Sequence, residues 1–154
     1  MFDYLLQFIT AFIVASSYAI IYEVPKDIIA FAGITGAIGW VTSSFLENVW
    51  EMHTFVAILI ASFIIGLTSQ IFARRLKAPV IIFSIPGIIP IVPGGSAYNA
   101  MRSFVEGNSD QGFRLLIATF MSAGAIALGL ALNSAFTQLV TKKNIFRRGR
   151  RFLP

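Results

Sequence analysis

Along the chain, residues 4–22, 28–46, 54–73 and 113–140 are apolar and nearly free of charge, and polar residues gather between them. Each run reaches the roughly 20 residues that a helix needs to cross a hydrocarbon core of about 30 Å. Four membrane-crossing helices are therefore predicted. A fifth apolar stretch, residues 79–106, differs in kind. It reads Pro79-Val-Ile-Ile-Phe-Ser-Ile-Pro86-Gly-Ile-Ile-Pro90-Ile-Val-Pro93-Gly-Gly-Ser-Ala-Tyr98-Asn-Ala-Met-Arg102-Ser-Phe-Val-Glu106 and holds four of the six prolines. An interior proline removes a backbone donor and clashes with the preceding turn, at about 3 kcal/mol or more. The stretch is expected to be a broken span. Interrupted backbone survives at membrane depth only where it is buried in protein or lines a wet cavity.

After the last proline, Gly94-Gly95-Ser96 leads into residues 97–106, which read as a short helix with Ser96 as its N-cap. Its first amides and the positive end of its dipole would face the break and suit a carboxylate. A proline-kinked structural span with no ligand is the other reading.

The remaining runs carry packing signals. Gly33, Gly36 and Gly39 recur every three residues in the second run, a spacing that lets another backbone approach. A substrate passing along that bare face is the sharper alternative. In the last run Ala118, Ser122, Ala125, Gly129 and Asn133 form a stripe of small residues, from which Asn133 can hydrogen-bond to a neighbour. Pro25 suits the first turn of the second helix, and Ser16 and Ser17 are available for contacts between helices.

Composition agrees with a polytopic membrane protein. Of 154 residues 56% are hydrophobic and only 12% charged, and the mean hydropathy is +0.78. The chain opens Met1-Phe2-Asp3 without the basic segment of a signal peptide, so the first run is read as a membrane helix. With no cysteine and a single histidine, His53, thiol chemistry and a protein-only zinc site are excluded. No nucleophile–base pair or nucleotide loop is present, so neither an enzyme nor a cofactor is expected. The net charge of +5 flanks apolar runs, which fits the positive-inside rule better than a nucleic-acid partner.

Placing Lys26, Arg74, Arg75, Lys77 and the basic residues 142–151 on the cytoplasmic side gives five crossings, N-terminus outside and C-terminus inside. The fold class expected is all-α integral membrane, with the fourth of about five spans broken. Residues 1–141 form the transmembrane domain and residues 142–154 a basic cytoplasmic tail with affinity for anionic lipid. If the broken stretch dips and returns instead, the spans number four.

For chemistry, the half-helix amides with Ser96, Tyr98, Asn99 and Arg102 can surround the carboxylate of a small solute, a guanidinium gripping it with two parallel bonds. Pro86, Gly87, Pro90, Pro93, Gly94 and Gly95 would shape the same site. The plainer alternative pairs Arg102 with Glu106, four residues on. Ion coupling needs a carboxylate that can be neutralised, and Glu106 and Glu47 are the candidates, unless both are ordinary solvated charges at span ends.

The run Ile85-Pro86-Gly87-Ile88-Ile89-Pro90-Ile91-Val92-Pro93-Gly94, followed by Ser96-Ala97-Tyr98 and Ala100-Met101, closely resembles the threonine/serine exporter family. Val24-Pro25-Lys26, Gly36-Ala37-Ile38-Gly39 and Lys77-Ala78-Pro79 extend the resemblance over nearly the whole chain. It is to the short subunit that corresponds to the C-terminal half of the full-length exporter. The resemblance implies export of small amino acids, or of a small carboxylate such as succinate, driven by an ion gradient across the cytoplasmic (inner) membrane. It also implies a separately encoded larger subunit as partner, or a homo-oligomer. A non-transporting scaffold that stabilises such a partner is the alternative.

Overall fold

The structure is a computed structural model that describes residues 2–149, with side chains over 3–140. Every regular element among them is helical: α1 (Phe2–Ile21), α2 (Lys26–Val49), α3 (Thr54–Leu76), α4 (Ile81–Ile88), a 3-10 turn (Ile89–Ile91), α5 (Gly94–Val105) and α6 (Ser109–Gly149). The helices α1, α2, α3 and α6 are long and apolar enough to cross a membrane, α6 over Ser109–Val140. The remaining pair, α4 with its 3-10 turn and then α5, is bent by 47° at the break. An all-α membrane architecture of four to five spans is thus what the apolar runs build. The basic tail, residues 142–154, lies outside the described side chains.

Packing fixes the directions of the helices. Gly36 of α2 meets Ala15 of α1, and Phe45 meets Tyr4, so these two run antiparallel. Gly39 meets Ile65 and Phe31 meets Phe72, so α2 and α3 are antiparallel as well. In contrast α6 runs parallel to α3, with Gly129 against Ser62 and Asn133 against Gly66 and Gln70. Two parallel helices in sequence require the chain between them to return to its starting side. The bent pair α4–α5 therefore crosses the bundle.

The glycines of α2 serve packing. Gly33 lies against Phe12 and Ser16, Gly36 against Ala15 and Pro90, and Gly39 against Ile65. Small side chains fill the rest of the interior, among them Ala15, Ala19, Ala32, Thr35, Ala37, Ala61 and Ser62, all fully buried. Without water to expel between helices, such close approach supplies the dispersion contacts that hold a membrane bundle together.

The stripe on α6 contributes a polar clamp. Asn133, 2% exposed, donates to the Phe63 carbonyl oxygen at 3.3 Å and accepts from Gln70 Nε2 at 2.7 Å. Asn133→Leu is expected to lower bundle stability by about 1 kcal/mol, near the middle of the range for hydrogen bonds between membrane helices. Equilibrium unfolding in mixed micelles checks it.

Two local expectations are corrected. Pro86 does not interrupt the chain, because α4 runs through it to Ile88; the 3-10 turn carries on to Ile91 and regular structure lapses only at Val92 and Pro93. Nor does Ser96 cap α5. That helix starts at Gly94 with Pro93 in the cap position, since Pro93 needs no amide partner and the two glycines follow it into helical conformation. Ser96 sits in the first turn, and its hydroxyl donates back to the Pro93 carbonyl oxygen at 2.9 Å.

Candidate functional site

The two halves of the break are placed differently. Pro86, Gly87 and Ile91 are buried, with the Gly87 Cα backed by Thr35 and Ile65, and Pro90 packs on Gly36. Beyond Ile91 the chain opens outward. Val92 is exposed, and a side chain at Gly94 or Gly95 would meet nothing within 4 Å. The first half is thus a plug in the bundle and the second half a wall.

That wall borders a cavity of about 700 Å³ at the end of the bundle that carries the α2–α3 connection. Its lining comes from four stretches: Trp40, Ser43, Ser44 and Glu47 of α2; His53, Thr54, Phe55 and Ile58 at the start of α3; Ile91, Val92, Pro93 and Ser96 at the break; and Ala118, Met121 and Ser122 of α6. This volume falls within the range typical of small-molecule sites, and the lining has the mixture expected of one, apolar walls with a few polar groups.

The electrostatics of the cavity are set by helix ends. Both α3 and α5 begin at it, and neither has a side-chain cap. At α3 the amides of Val56 and Ala57 bond the His53 carbonyl oxygen, at 2.9 and 3.1 Å. At α5 the Ala97 amide bonds the Pro93 carbonyl oxygen at 3.1 Å. The Gly94 amide bonds the Val92 carbonyl oxygen at 2.7 Å, which leaves Gly95 and Ser96 at α5, and Thr54 and Phe55 at α3, as the helix-start amides for a ligand or water, each start carrying the positive end of its dipole. The same lining holds the C-terminal part of α2 with its one carboxylate, Glu47, which accepts from Ser43 Oγ at 3.3 Å. No lysine or arginine lines the cavity. The lining therefore combines helix-start donors with one charged acceptor, among the apolar walls of Trp40, Phe55 and Ile58.

A second hydroxyl pair ties the site together. Thr119 of α6 donates to Ser96 Oγ at 3.0 Å, and this bond fixes the start of α5 against α6. Deeper in α5, Phe104 packs edge-on against Phe113, with ring centroids 5.1 Å apart.

Of the residues singled out by sequence, Pro93, Ser96 and Glu47 come together at the cavity, with Gly94 and Gly95 beside it. Pro86, Gly87 and Pro90 support it from within the bundle. Tyr98, Asn99, Arg102 and Glu106 lie elsewhere, on the exposed side of α5. Arg102 Nε bonds Glu106 Oε1 at 2.7 Å, with the two side chains 63% and 56% exposed. That is the plainer of the two arrangements foreseen for Arg102. Sequence reasoning placed the start of α3 at Thr54 and read Ser122 as packing surface, but assigned neither of them, nor Ser43 and Ser44, to the site. An uncapped helix start, His53-Thr54-Phe55 directly after an acidic connection, was the available signal. Among the described residues no three His, Asp or Glu side chains come together as a metal site would need.

Residues 7–136 match the family described as Threonine/Serine exporter, ThrE. A protein of Haemophilus influenzae, described only as uncharacterized, is 33% identical over 140 residues, covering 86% of this chain and 47% of that protein. The chain thus spans about half the length of this curated relative. No solved structure matches.

Proposed function

The chain belongs to the threonine/serine exporter family, ThrE, and from that premise we propose that it is a transporter subunit that moves a small amino acid through the cavity at the break. One observation carries the reading: two uncapped helix starts and a lone carboxylate line one space of about 700 Å³. A zwitterion matches both kinds of group at once. Its carboxylate accepts from the amides of Gly95 and Ser96 at α5 and of Thr54 and Phe55 at α3, and its ammonium donates to Glu47. Ser96 and Ser122 are the hydroxyls suited to the side chain of serine or threonine.

A dicarboxylate such as succinate fits less well. One of its two anionic ends would face Glu47 with no cation in the lining to offset it. The small amino acid is therefore the preferred substrate class of the two that the family resemblance raised. Glu47 is also the better placed of the two carboxylates considered for ion coupling, because protonating it would release the ammonium. Glu106 is committed to Arg102 at an exposed position.

The same reading places Lys26, Arg74, Arg75 and Lys77 on the cytoplasmic side, so that the cavity opens toward the exterior. As the family resemblance implies, a separately encoded larger subunit is the proposed companion in the cytoplasmic membrane.

Efflux of labelled threonine, serine and succinate from loaded cells tests the proposal. Expected are threonine and serine efflux that depends on this chain, and little succinate efflux. Succinate leaving faster than either amino acid would overturn the substrate assignment. Efflux per complex that is insensitive to substitutions at Pro90 or Gly94 would favour a scaffold. Arg102→Ala, outside the cavity, is expected to leave the threonine rate unchanged; a large loss would return Arg102 to the substrate path.

A further inference from the structure

The floor of the cavity is apolar. Ile58 and Ile91 belong to its lining, and both pack into a buried cluster with Ile65, Ala125 and Ile126. A charged solute does not cross such a layer while it is closed. At the other end of the bundle Phe72 of α3 meets Phe31 of α2 and Phe83 of α4, with ring centroids 5.2 and 6.1 Å apart. This aromatic layer lies about 21 Å from Ile58, at 1.5 Å per residue along α3. Under the proposed function, on which the inference rests, it is the cytoplasmic closure of the path.

Between the two layers α2, α3 and α4 meet through small residues and one hydroxyl that behaves unlike its neighbours. Gly39 and Gly87 lie against Ile65, and Gly36 lies against Pro90 and the Gly87 carbonyl. Ser69 is one turn from Ile65 and one turn from Phe72, on the same face of α3. It is 0% exposed, and its Oγ has no hydrogen-bond partner among the described residues. Other buried hydroxyls of the bundle bond the carbonyl oxygen one turn back, Ser62 that of Ile58 at 2.7 Å and Thr35 that of Phe31 at 2.9 Å. Ser69 makes no such bond. A buried hydroxyl left unsatisfied costs stability, and a partner that comes and goes accounts for its being kept.

The break supplies the movement that would uncover it. Helix α5 is held on α6 by Ser96 on Thr119 and by Phe104 on Phe113, whereas α4 packs on α2 and α3. Between these two bodies lie Val92 and Pro93, outside regular structure, and then Gly94 and Gly95, where a Cβ would meet nothing within 4 Å. A few residues of this kind absorb the dihedral change of a hinge. Turning α4 about them draws Phe83 off Phe72 and opens the face that carries Ser69.

We propose that Ser69 is a second contact for the substrate, on the cytoplasmic half of its path, covered by α4 while the cavity is open to the exterior. Its hydroxyl can accept from the ammonium of an amino acid or donate to the carboxylate. A solute leaving the cytoplasm meets it after the aromatic layer parts and before the isoleucine layer admits it to the cavity.

The chain has no cysteine, so Ser69→Cys, close to the same size, reports the path directly. Native membrane vesicles carrying the variant, with any companion subunit, are treated with a small charged methanethiosulfonate alone and with threonine, serine or succinate added. Labelling is expected to be slow alone and about tenfold faster with a transported solute, as a shift toward the inward-open population requires. Ala19→Cys, equally buried but between α1 and α2, is the control and is expected to stay unlabelled. Labelling of Ser69→Cys that no solute accelerates would overturn the proposal. So would Ala19→Cys labelling in step with it, the mark of a general loosening. Should Ser69→Cys fail to accumulate, Thr35→Cys, which backs Gly87 from the α2 side, decides in its place. Ser69→Ala gives a second readout: efflux is expected to fall about two- to tenfold, the worth of one neutral hydrogen bond, while stability in mixed micelles is unchanged or raised. Unchanged efflux, or efflux and stability falling together, would count against a substrate contact. Acceleration by succinate alone would support the path while overturning the amino-acid assignment of the cavity, so the two readings fail separately.

Discussion

Glu47→Gln is expected to slow threonine efflux by about ten- to a hundredfold per copy of the protein in the membrane. The estimate comes from the loss of one hydrogen bond to a charged group, worth about 1.5–3 kcal/mol, at 1.4 kcal/mol per factor of ten. Glutamine keeps the size of the side chain and can still accept from Ser43 Oγ, which Glu47 Oε1 accepts from at 3.3 Å. The shape of the cavity should survive. What disappears is the one negative charge in a lining that also holds two positive helix starts, and with it both the anchor for an ammonium and the proton site that coupling would use. Initial efflux rates of labelled threonine from loaded cells, normalised to protein abundance, measure the effect. If the normalised rate is unchanged, Glu47 is an ordinary interfacial carboxylate and the cavity does not hold the substrate in the way proposed.

Ser43→Ala should cost less than Glu47→Gln. Ser43 donates to Glu47 but carries no charge, so its removal relaxes the carboxylate without neutralising it. The ordering of the two variants separates a charge effect from a loss of local packing.

The spans and the break were legible because both are local properties. An apolar run of twenty residues declares a crossing wherever it lies, and four prolines in 79–106 forbid a continuous helix whatever surrounds them. The position of the break was less legible. Pro86 remains inside α4 while regular structure lapses only at Val92 and Pro93, a choice made by how Gly87 packs on Thr35 and Ile65 and not by the prolines alone.

The site was legible only in part, for a related reason. Glu47 and Ser96 are 49 residues apart, and what unites them is the return of α5 and α6 to the end where α2 stops and α3 starts. Periodicity says which residues share a helix face but not which way that face points. Arg102 illustrates this. Its spacing from Glu106 was visible, but the rotation of α5 is set by Phe104 on Phe113 and by Ser96 on Thr119, and that rotation turns Arg102 away from the cavity. Hydroxyls such as Ser43 and Ser122 give no signal of their own, because buried serines on membrane helices more often bond a carbonyl one turn back, as Ser62 does to Ile58 at 2.7 Å.

Gly129→Val is expected to be the most damaging single substitution in the α3–α6 contact. A Cβ placed at Gly129 would lie 2.5 Å from the Leu59 carbonyl oxygen, 2.7 Å from Ser62 Cβ and 3.1 Å from the Phe63 amide nitrogen. Two of these three neighbours are backbone, which cannot rotate aside, so α6 must move off α3 as a body. Overpacking typically costs about 1–3 kcal/mol and occasionally more, and a β-branched side chain at a backbone contact belongs at the upper end. Gly124→Ala on the same helix is the matched comparison: nothing lies within 4 Å of its would-be Cβ, and the lost backbone freedom of the unfolded chain should leave stability unchanged or raised by about 0.4–1 kcal/mol. Equilibrium unfolding of both variants in mixed micelles gives the difference, and equal stabilities would mean that the helices do not meet in this register. The same displacement should reach the cavity. Ser122 lies two turns before Gly129 on a continuous helix, so an α6 lifted at Gly129 draws that wall away from Glu47, and threonine efflux is expected to fall even in whatever fraction of the Gly129→Val protein remains folded.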